Sequence, residues 1–255
     1  EHQMIISTTD RFVKNEVIPN MEKLEHKDWD LNRKLLLKAG ELGLLGTDIE
    51  EKYGGSHMGS ITSLIISEHT AAAGAFGVTL NCHTGIGSIP LVLFGTKSQK
   101  EKYLPSLVRG EKIGAYALTE PEAGTDALSI KTTAVLSPDG KYYKLDGTKQ
   151  FITNGGEAEI YTVIALTDPT KGARGASAFI VEKGTPGFTF GKKEKKLGIR
   201  CSATRELVFH NCRVPKENLL SKEGMGFIVT LKTLDSSRPG VGALAVGLAQ
   251  GALEA

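Results

Sequence analysis

The sequence predicts an α+β protein in three successive parts. These are a helical N-terminal domain over residues 1–112, an antiparallel β-barrel middle domain over 113–220, and the beginning of a C-terminal helical bundle over 221–255. Three observations predict it. As far as residue 112 the apolar residues recur at the spacing of a helix face. From residue 113, Val, Ile, Thr, Tyr and Phe alternate with polar residues in short runs. Clusters of Gly, Pro, Asp and Asn separate these runs, which is the pattern of antiparallel strands. Beyond Arg213-Val214-Pro215 the apolar runs lengthen again and carry many small residues.

Taken in order, Ile5, Phe12, Val13 and Val17 mark one face of a first helix. Leu31, Leu35, Ala39 and Leu42 mark a second, with Asp30 as its expected N-cap and Gly43 as its stop. Residues 60–75 and 77–94 are apolar enough for buried helices, the latter weakened by Gly85 and Gly87. Residues 98–109 form a short amphipathic helix, and His69 and His83 are expected in structural rather than chemical roles. Strands are clearest at 131–136, 141–146, 160–166, 176–182 and 205–210. Ser137-Pro138-Asp139-Gly140 supplies a turn: Pro138 presets one dihedral, Asp139 bonds its own backbone and Gly140 accepts a positive φ. Residues 224–234 and 238–255 are expected to be helical, with Ala243, Gly247 and Gly251 set for close helix contact.

Composition excludes several classes. A hydrophobic share of 40% and a charged share of 24% belong to a globular domain, and a net charge of +2 makes no strong demand for nucleic acid. The dense basic run is KKEKK (192–196), read as a solvated strand end, or more weakly as an attraction for a polyanion such as a coenzyme A phosphate. Cys82, Cys201 and Cys212 have no metal or redox spacing and fit a reducing compartment, and the 6 histidines form no metal-ligand pattern. No apolar run is expected to reach the ~18 uncharged residues of a membrane span. The N-terminus carries no signal-peptide pattern and no initiator methionine, so the chain is expected to start inside a longer one. Neither a dinucleotide-binding G-x-G-x-x-G, nor a P-loop, nor a G-x-S-x-G elbow is found.

Two stretches carry the chemistry. In YALTEPEAGTD (116–126), Pro121 ends a strand and Gly124 lets backbone approach a ligand. Thr119 and Thr125 bring hydroxyls and the loop brings N–H groups, a seat for an uncharged heteroaromatic ring and for phosphate oxygens. In KQFITNGG (149–156), Phe151 offers a flat face and Thr153 a hydroxyl on the same face of a strand, before an Asn154-Gly155-Gly156 turn. Glu120 and Glu122 are expected to be solvated, and Asp126 to be a local cap. The two stretches are expected to meet as neighbouring strand ends of one sheet.

This pair resembles the flavin signature of the acyl-CoA dehydrogenase family. EEKYGG (50–55), KLGIRCSATRELVF (196–209), CRVPKENLL (212–220) and LDSSRPGVGALAVGLAQGALE (234–254) are similar to its further landmarks, in the expected order. The resemblance implies FAD as cofactor, held by Tyr116, Leu118, Thr119, Gly124, Thr125, Phe151, Ile152 and Thr153. It implies that Thr125, Asp235 and Arg238 hold an acyl-CoA, with Asp235 and Arg238 at the start of a helix. Family members often carry tryptophan where this chain has Phe151. The implied reaction is α,β-dehydrogenation of a fatty acyl-CoA, short- or medium-chain, with electrons passed to electron-transfer flavoprotein. The implied setting is a dimer or tetramer in a bacterial cytoplasm or the mitochondrial matrix. An acyl-CoA oxidase, a nitroalkane- or acyl-CoA-reducing variant of the same fold and a non-catalytic fragment are the alternatives. In two branches of the family the catalytic glutamate immediately precedes the arginine matched by Arg238. Here that residue is Ser237, so the base is expected beyond Ala255.

Overall fold

A computed structural model describes residues 1–72 and 74–254. The first part is helical: α1 (His2–Phe12), α2 (Met21–Glu25), α3 (Trp29–Glu41), α4 (Ser60–Ala71), α5 (Ala75–Cys82), α6 (Ile89–Phe94) and α7 (Lys97–Val108). Of the faces that the periodicity marks, Phe12, Val13, Val17, Leu35 and Ala39 are buried, and Ile5, Leu31 and Leu42 are half-buried against the same core. The N-cap of α3 is Asp28 rather than Asp30: the Asp28 carboxylate accepts the Leu31 N–H at 3.0 Å, and Asp30 falls in the first turn. The expected helix over 77–94 is broken. A π-helical turn, His83–Gly87, separates α5 from α6, and Gly85 there leaves helical dihedrals (φ −78°, ψ −107°). Thr96 and Gln99 cap α7 reciprocally.

Residues 75–94 carry no Asp, Glu, Lys or Arg, and Ala75–Phe94 is long and apolar enough by composition to cross a membrane. That corrects the expectation that no such run exists. More than half of its most apolar window is buried within the fold, which is the placement of a core helix.

The strands are β1 (Gly114–Ala117), β2 (Thr133–Leu136), β3 (Tyr142–Thr153), β4 (Ile160–Leu166), β5 (Ala176–Glu182), β6 (Phe188–Lys193), β7 (Thr204–Pro215) and β8 (Leu219–Leu220). They form one sheet in the order β6-β7-β3-β2-β4-β5-β8, with β1 beside β4. The α+β class is as expected, but the sheet is mixed. β1 runs parallel to β4 from Gly114↔Ile160 to Ala117↔Val163, and β2 touches β4 in parallel at Thr133↔Leu166. A strand that arrives from a helix has no hairpin to fix an antiparallel partner. Alternation also misses β6, whose Phe188 stacks on Phe209 of β7 with centroids 4.9 Å apart.

The helical part and the sheet share one buried apolar cluster, in which Leu36, Phe76 and Leu80 join Ala115, Ile152 and Leu207, and polar contacts add to it. Arg33 of α3 meets Glu159 at 2.5 Å and the Glu157 carbonyl at 3.1 Å. Trp29 lies beneath Lys193 of β6, 5.8 Å from ring centroid to ammonium, and its buried indole N–H finds no acceptor among the described residues. The chain then enters α8 (Gly226–Glu254), a single helix of 29 residues running through Pro239. The expected break before residue 238 is absent, and Asp235 and Arg238 sit in mid-helix. Close packing holds this helix together despite the proline. A Cβ on Gly247 would overlap the Glu68 carbonyl of α4, and one on Gly240 would reach the Asn81 side chain at 2.9 Å.

Candidate active site

The site is built on the chain segment that leaves β1. Leu118 and Thr119 are half-buried, and the Thr119 carbonyl accepts the Gln150 N–H at 2.8 Å. Glu120 and Ala123 exchange N–H···O bonds of 3.0 and 3.1 Å around Pro121, making a tight turn. Gly124, Thr125 and Asp126 follow on the surface. Among the described residues, their three N–H groups find no intramolecular acceptor. A Cβ on Gly124 would meet nothing within 4 Å. This run of free donors suits anionic oxygens.

The second stretch ends β3. The ladder to β7 slips between Lys149 and Ile152, and Phe151 adopts φ 57° in that bulge while remaining 57% exposed. A bulky residue in the left-handed region is uncommon and costs of order 1–2 kcal/mol. An exposed aromatic held in that conformation suits a planar ring better than a packed core. The bulge replaces the simple two-residue alternation expected for Phe151 and Thr153. Ile152 is buried and Thr153 is half-buried beside it.

Tyr116 is placed differently from a surface ligand. It is 6% exposed, and its hydroxyl donates to Thr230 Oγ1 at 2.8 Å, which donates in turn to the Gly226 carbonyl at 2.9 Å. Tyr116 therefore fastens β1 to the first turns of α8, and burial pushes its phenol above the ordinary range.

Glu120 is the clearest correction to the sequence reading. It is buried, not solvated, and accepts from the Lys149 ammonium at 2.7 Å, with side-chain exposures of 6% and 0%. Lys149 also donates to the Leu118 carbonyl at 2.9 Å. Burial lowers the Lys149 pKa to about 8, partly offset by Glu120. Burial alone would raise Glu120, but Lys149 and the amide donors around it hold its carboxyl below the usual range. Sequence reasoning missed the pair because its members lie in different stretches, each of which reads as surface.

Two cavities adjoin these elements. The larger, about 1250 Å³, is lined by Thr125, Leu128, Lys171, Arg174, Phe227 and Arg238 among others. The smaller, about 410 Å³, lies where α4, the π turn and α8 converge and includes Ser63, Asn81, Gly85, Asp235 and Ser237. Thr125 and Arg238 thus share a wall system, while Asp235 holds Arg238 at 3.1 Å from the neighbouring cavity. Lys171 and Arg174 were not anticipated; the signal was the basic loop DPTKGAR between β4 and β5. The KKEKK run does not line the larger cavity: Lys192 and Lys193 pair with Glu194 and Glu157. Every carboxylate lining either cavity is engaged. Asp48 accepts from Ser63, Asp126 from Ser129, Asp168 from Lys171, Glu223 from Tyr143 and Asp235 from Arg238.

Residues 1–111 match the family described as acyl-CoA dehydrogenase, N-terminal domain, and residues 115–212 match acyl-CoA dehydrogenase, middle domain. An acyl-CoA dehydrogenase of Bacillus anthracis complexed with FAD is 48% identical and superposes with a TM-score of 0.93, over 97% of this chain and 42% of that one. A chain from the electron transferring flavoprotein structure of Acidaminococcus fermentans is 46% identical, with a TM-score of 0.95 over 100% of this chain and 66% of that one. Butyryl-CoA dehydrogenase of Megasphaera elsdenii is 45% identical, with a TM-score of 0.93 over 99% of this chain and 67% of that one. The chain spans from 39% to 66% of the length of the first curated relatives it matches.

Proposed function

Because the chain belongs to the acyl-CoA dehydrogenase family, we propose that it forms the cofactor- and thioester-binding part of an FAD-dependent enzyme. That enzyme converts a fatty acyl-CoA to its trans-2-enoyl-CoA. The observation that carries this reading is the free N–H run of Gly124–Asp126, tied through Thr119 to the strand end that presents Phe151. Thr125 continues from that run into a cavity that also bears Arg238.

In this reading the N–H groups and the Thr119 and Thr125 hydroxyls hold the pyrophosphate and ring edge of FAD. Phe151 covers a ring face, and Leu118, Ile152 and Thr153 border it. When bound, FAD supplies the hydride acceptor for the substrate β-hydrogen. The residues of this chain bind and orient the thioester. Lys171, Arg174 and Arg238 attract coenzyme A phosphates, and Asp235 fixes the Arg238 guanidinium. Tyr116 contributes by holding β1 to α8.

The α-proton needs a carboxylate, and Ser237 is no substitute: its hydroxyl donates to the Leu234 carbonyl at 3.3 Å and is far too weak a base. The hydrogen bonds and ion pairs of the cavity carboxylates support our reading that none of them is the base and that it is supplied from outside residues 1–255. The butyryl-CoA dehydrogenase likeness supports a short acyl chain, and the A. fermentans likeness supports electron-transfer flavoprotein as electron acceptor. Val241 and Val246, exposed along α8 and outside both cavities, support a dimer or tetramer.

Mass spectrometry of ligand released from purified protein tests the cofactor, and calorimetric titration with an acyl-CoA length series tests the substrate. FAD and a preference for short chains are expected. Recovery of FMN alone, or indifference to coenzyme A thioesters, would contradict the assignment.

A further inference from the structure

We infer that Lys149 is a positioning residue: its buried ammonium, paired with Glu120, fixes the 118–132 loop against the end of β3. It thereby sets the spacing between the free N–H groups of Gly124–Asp126 and the Phe151 and Thr153 side chains. The inference rests on the FAD reading above.

The ammonium is fully buried, and taking such a charge out of water costs several kcal/mol. A packing role at this inward-facing strand position would be filled by an aliphatic side chain at no such cost. The hydrogen bonds indicate what the charge does instead. Lys149 donates to the Leu118 carbonyl, where the loop begins, and to Glu120. The Glu120 carboxylate then accepts the N–H groups of Lys131 at 2.6 Å and Thr132 at 3.1 Å, where the loop ends and β2 is about to start. One cation thus clasps both feet of the loop. The tip, Gly124–Asp126, has no intramolecular backbone acceptors among the described residues, so its placement depends on those feet. Lys149 also directly precedes the bulge in which Phe151 turns outward. Among the described residues, Glu120 is the carboxylate paired with the ammonium, and the Lys131 side chain turns to Glu122 at the surface.

The test compares wild type, Lys149→Met, Lys149→Arg and Glu120→Gln in two measurements. Hydrogen exchange of the Lys131 and Thr132 amides, without cofactor, reports whether the clasp holds the loop. FAD titration by fluorescence, from roughly pH 7 to pH 9.5, reports whether the clasp matters for the site. Lys149→Met and Glu120→Gln are expected to speed that exchange and to weaken FAD binding by about tenfold, the loss of one or two charge-assisted bonds. Wild-type affinity is expected to fall as the pH rises through about 8, where Lys149 loses its proton, while Lys149→Arg stays flat across that range. Unchanged FAD affinity in a folded Lys149→Met protein would overturn the inference. So would an identical pH profile for wild type and Lys149→Arg, a comparison that survives if Lys149→Met fails to fold. If wild type binds no FAD, the cofactor reading fails, and the exchange measurement still decides whether Lys149 clasps the loop.

Discussion

Gly87 and Gly114 meet backbone against backbone. A Cβ built on Gly87 would lie 2.7 Å from the Gly114 carbonyl, and one on Gly114 would lie 2.8 Å from the Gly87 oxygen. Both have negative φ, so space alone requires glycine here. The contact joins the π turn of the helical part to the first residue of β1. Gly114→Ala is expected to lower unfolding free energy by ~1–3 kcal/mol through overpacking. Gly124→Ala, with nothing within 4 Å, should change it by less than ~0.5 kcal/mol. Urea titrations of the two variants check this, and equal effects would contradict it.

His83 is expected to make stability depend on mild acid. Its Nδ1 accepts the Gly114 N–H at 3.0 Å and its Nε2–H donates to the Leu107 carbonyl at 3.0 Å, so the ring is a neutral tautomer held between α7 and β1. Burial lowers its pKa to about 4 from an ordinary 6.5. The unfolded chain therefore takes up a proton that the folded one refuses. The contribution is complete above pH 6.5 and is lost as the pH falls from 6.5 to about 4, by at most ~3 kcal/mol. His83→Gln keeps a donor and an acceptor but does not titrate. Its stability deficit relative to wild type should shrink between pH 7 and pH 4.5 in urea unfolding; a constant deficit would count against the assignment.

Arg174 and Arg238 are expected to bind acyl-CoA by charge. Among the described residues Arg174 has no carboxylate within ion-pair distance, and Arg238 has only Asp235. Either arginine changed to alanine should weaken acyl-CoA binding several-fold, ~1 kcal/mol, most clearly at low salt, and leave the flavin spectrum unchanged. Calorimetric titration at two salt concentrations checks it. Loss of flavin with intact thioester binding would assign these residues elsewhere.

The 255-residue chain, loaded with FAD, is expected not to bleach when butyryl-CoA is added without oxygen, because its cavity carboxylates are all engaged. A chain extended to the length of the relatives should bleach. Stopped-flow absorbance distinguishes the two, and comparable rates would place the base within residues 1–255.

The helix–sheet–helix order was legible because period and turn chemistry are local. The turn at Pro121 and the open backbone at Gly124 were legible because proline and glycine carry their meaning in sequence. What escaped depends on distant partners. Glu120 reads as a loop carboxylate until Lys149, on another strand, is folded beneath it. The outward turn of Phe151 comes from a slipped ladder between β3 and β7 that no local residue announces. Pro239 argues for a helix start, and only the packing of Gly240 and Gly247 against α5 and α4 carries α8 through it. The parallel partner of β1 follows from how α7 delivers the strand, not from the strand's own residues.

Trp29 is the single tryptophan of the chain, since position 151 holds phenylalanine. It lies at the start of α3 under Lys193, on the seam between helices and sheet. Its emission is therefore an intrinsic optical gauge of that seam. Separation of the two layers would move the indole from a half-buried, cation-capped setting into water and shift its fluorescence to the red. Rearrangements confined to the 118–132 loop would leave it dark to the observer, so one cuvette can tell undocking of the layers from loosening of the site.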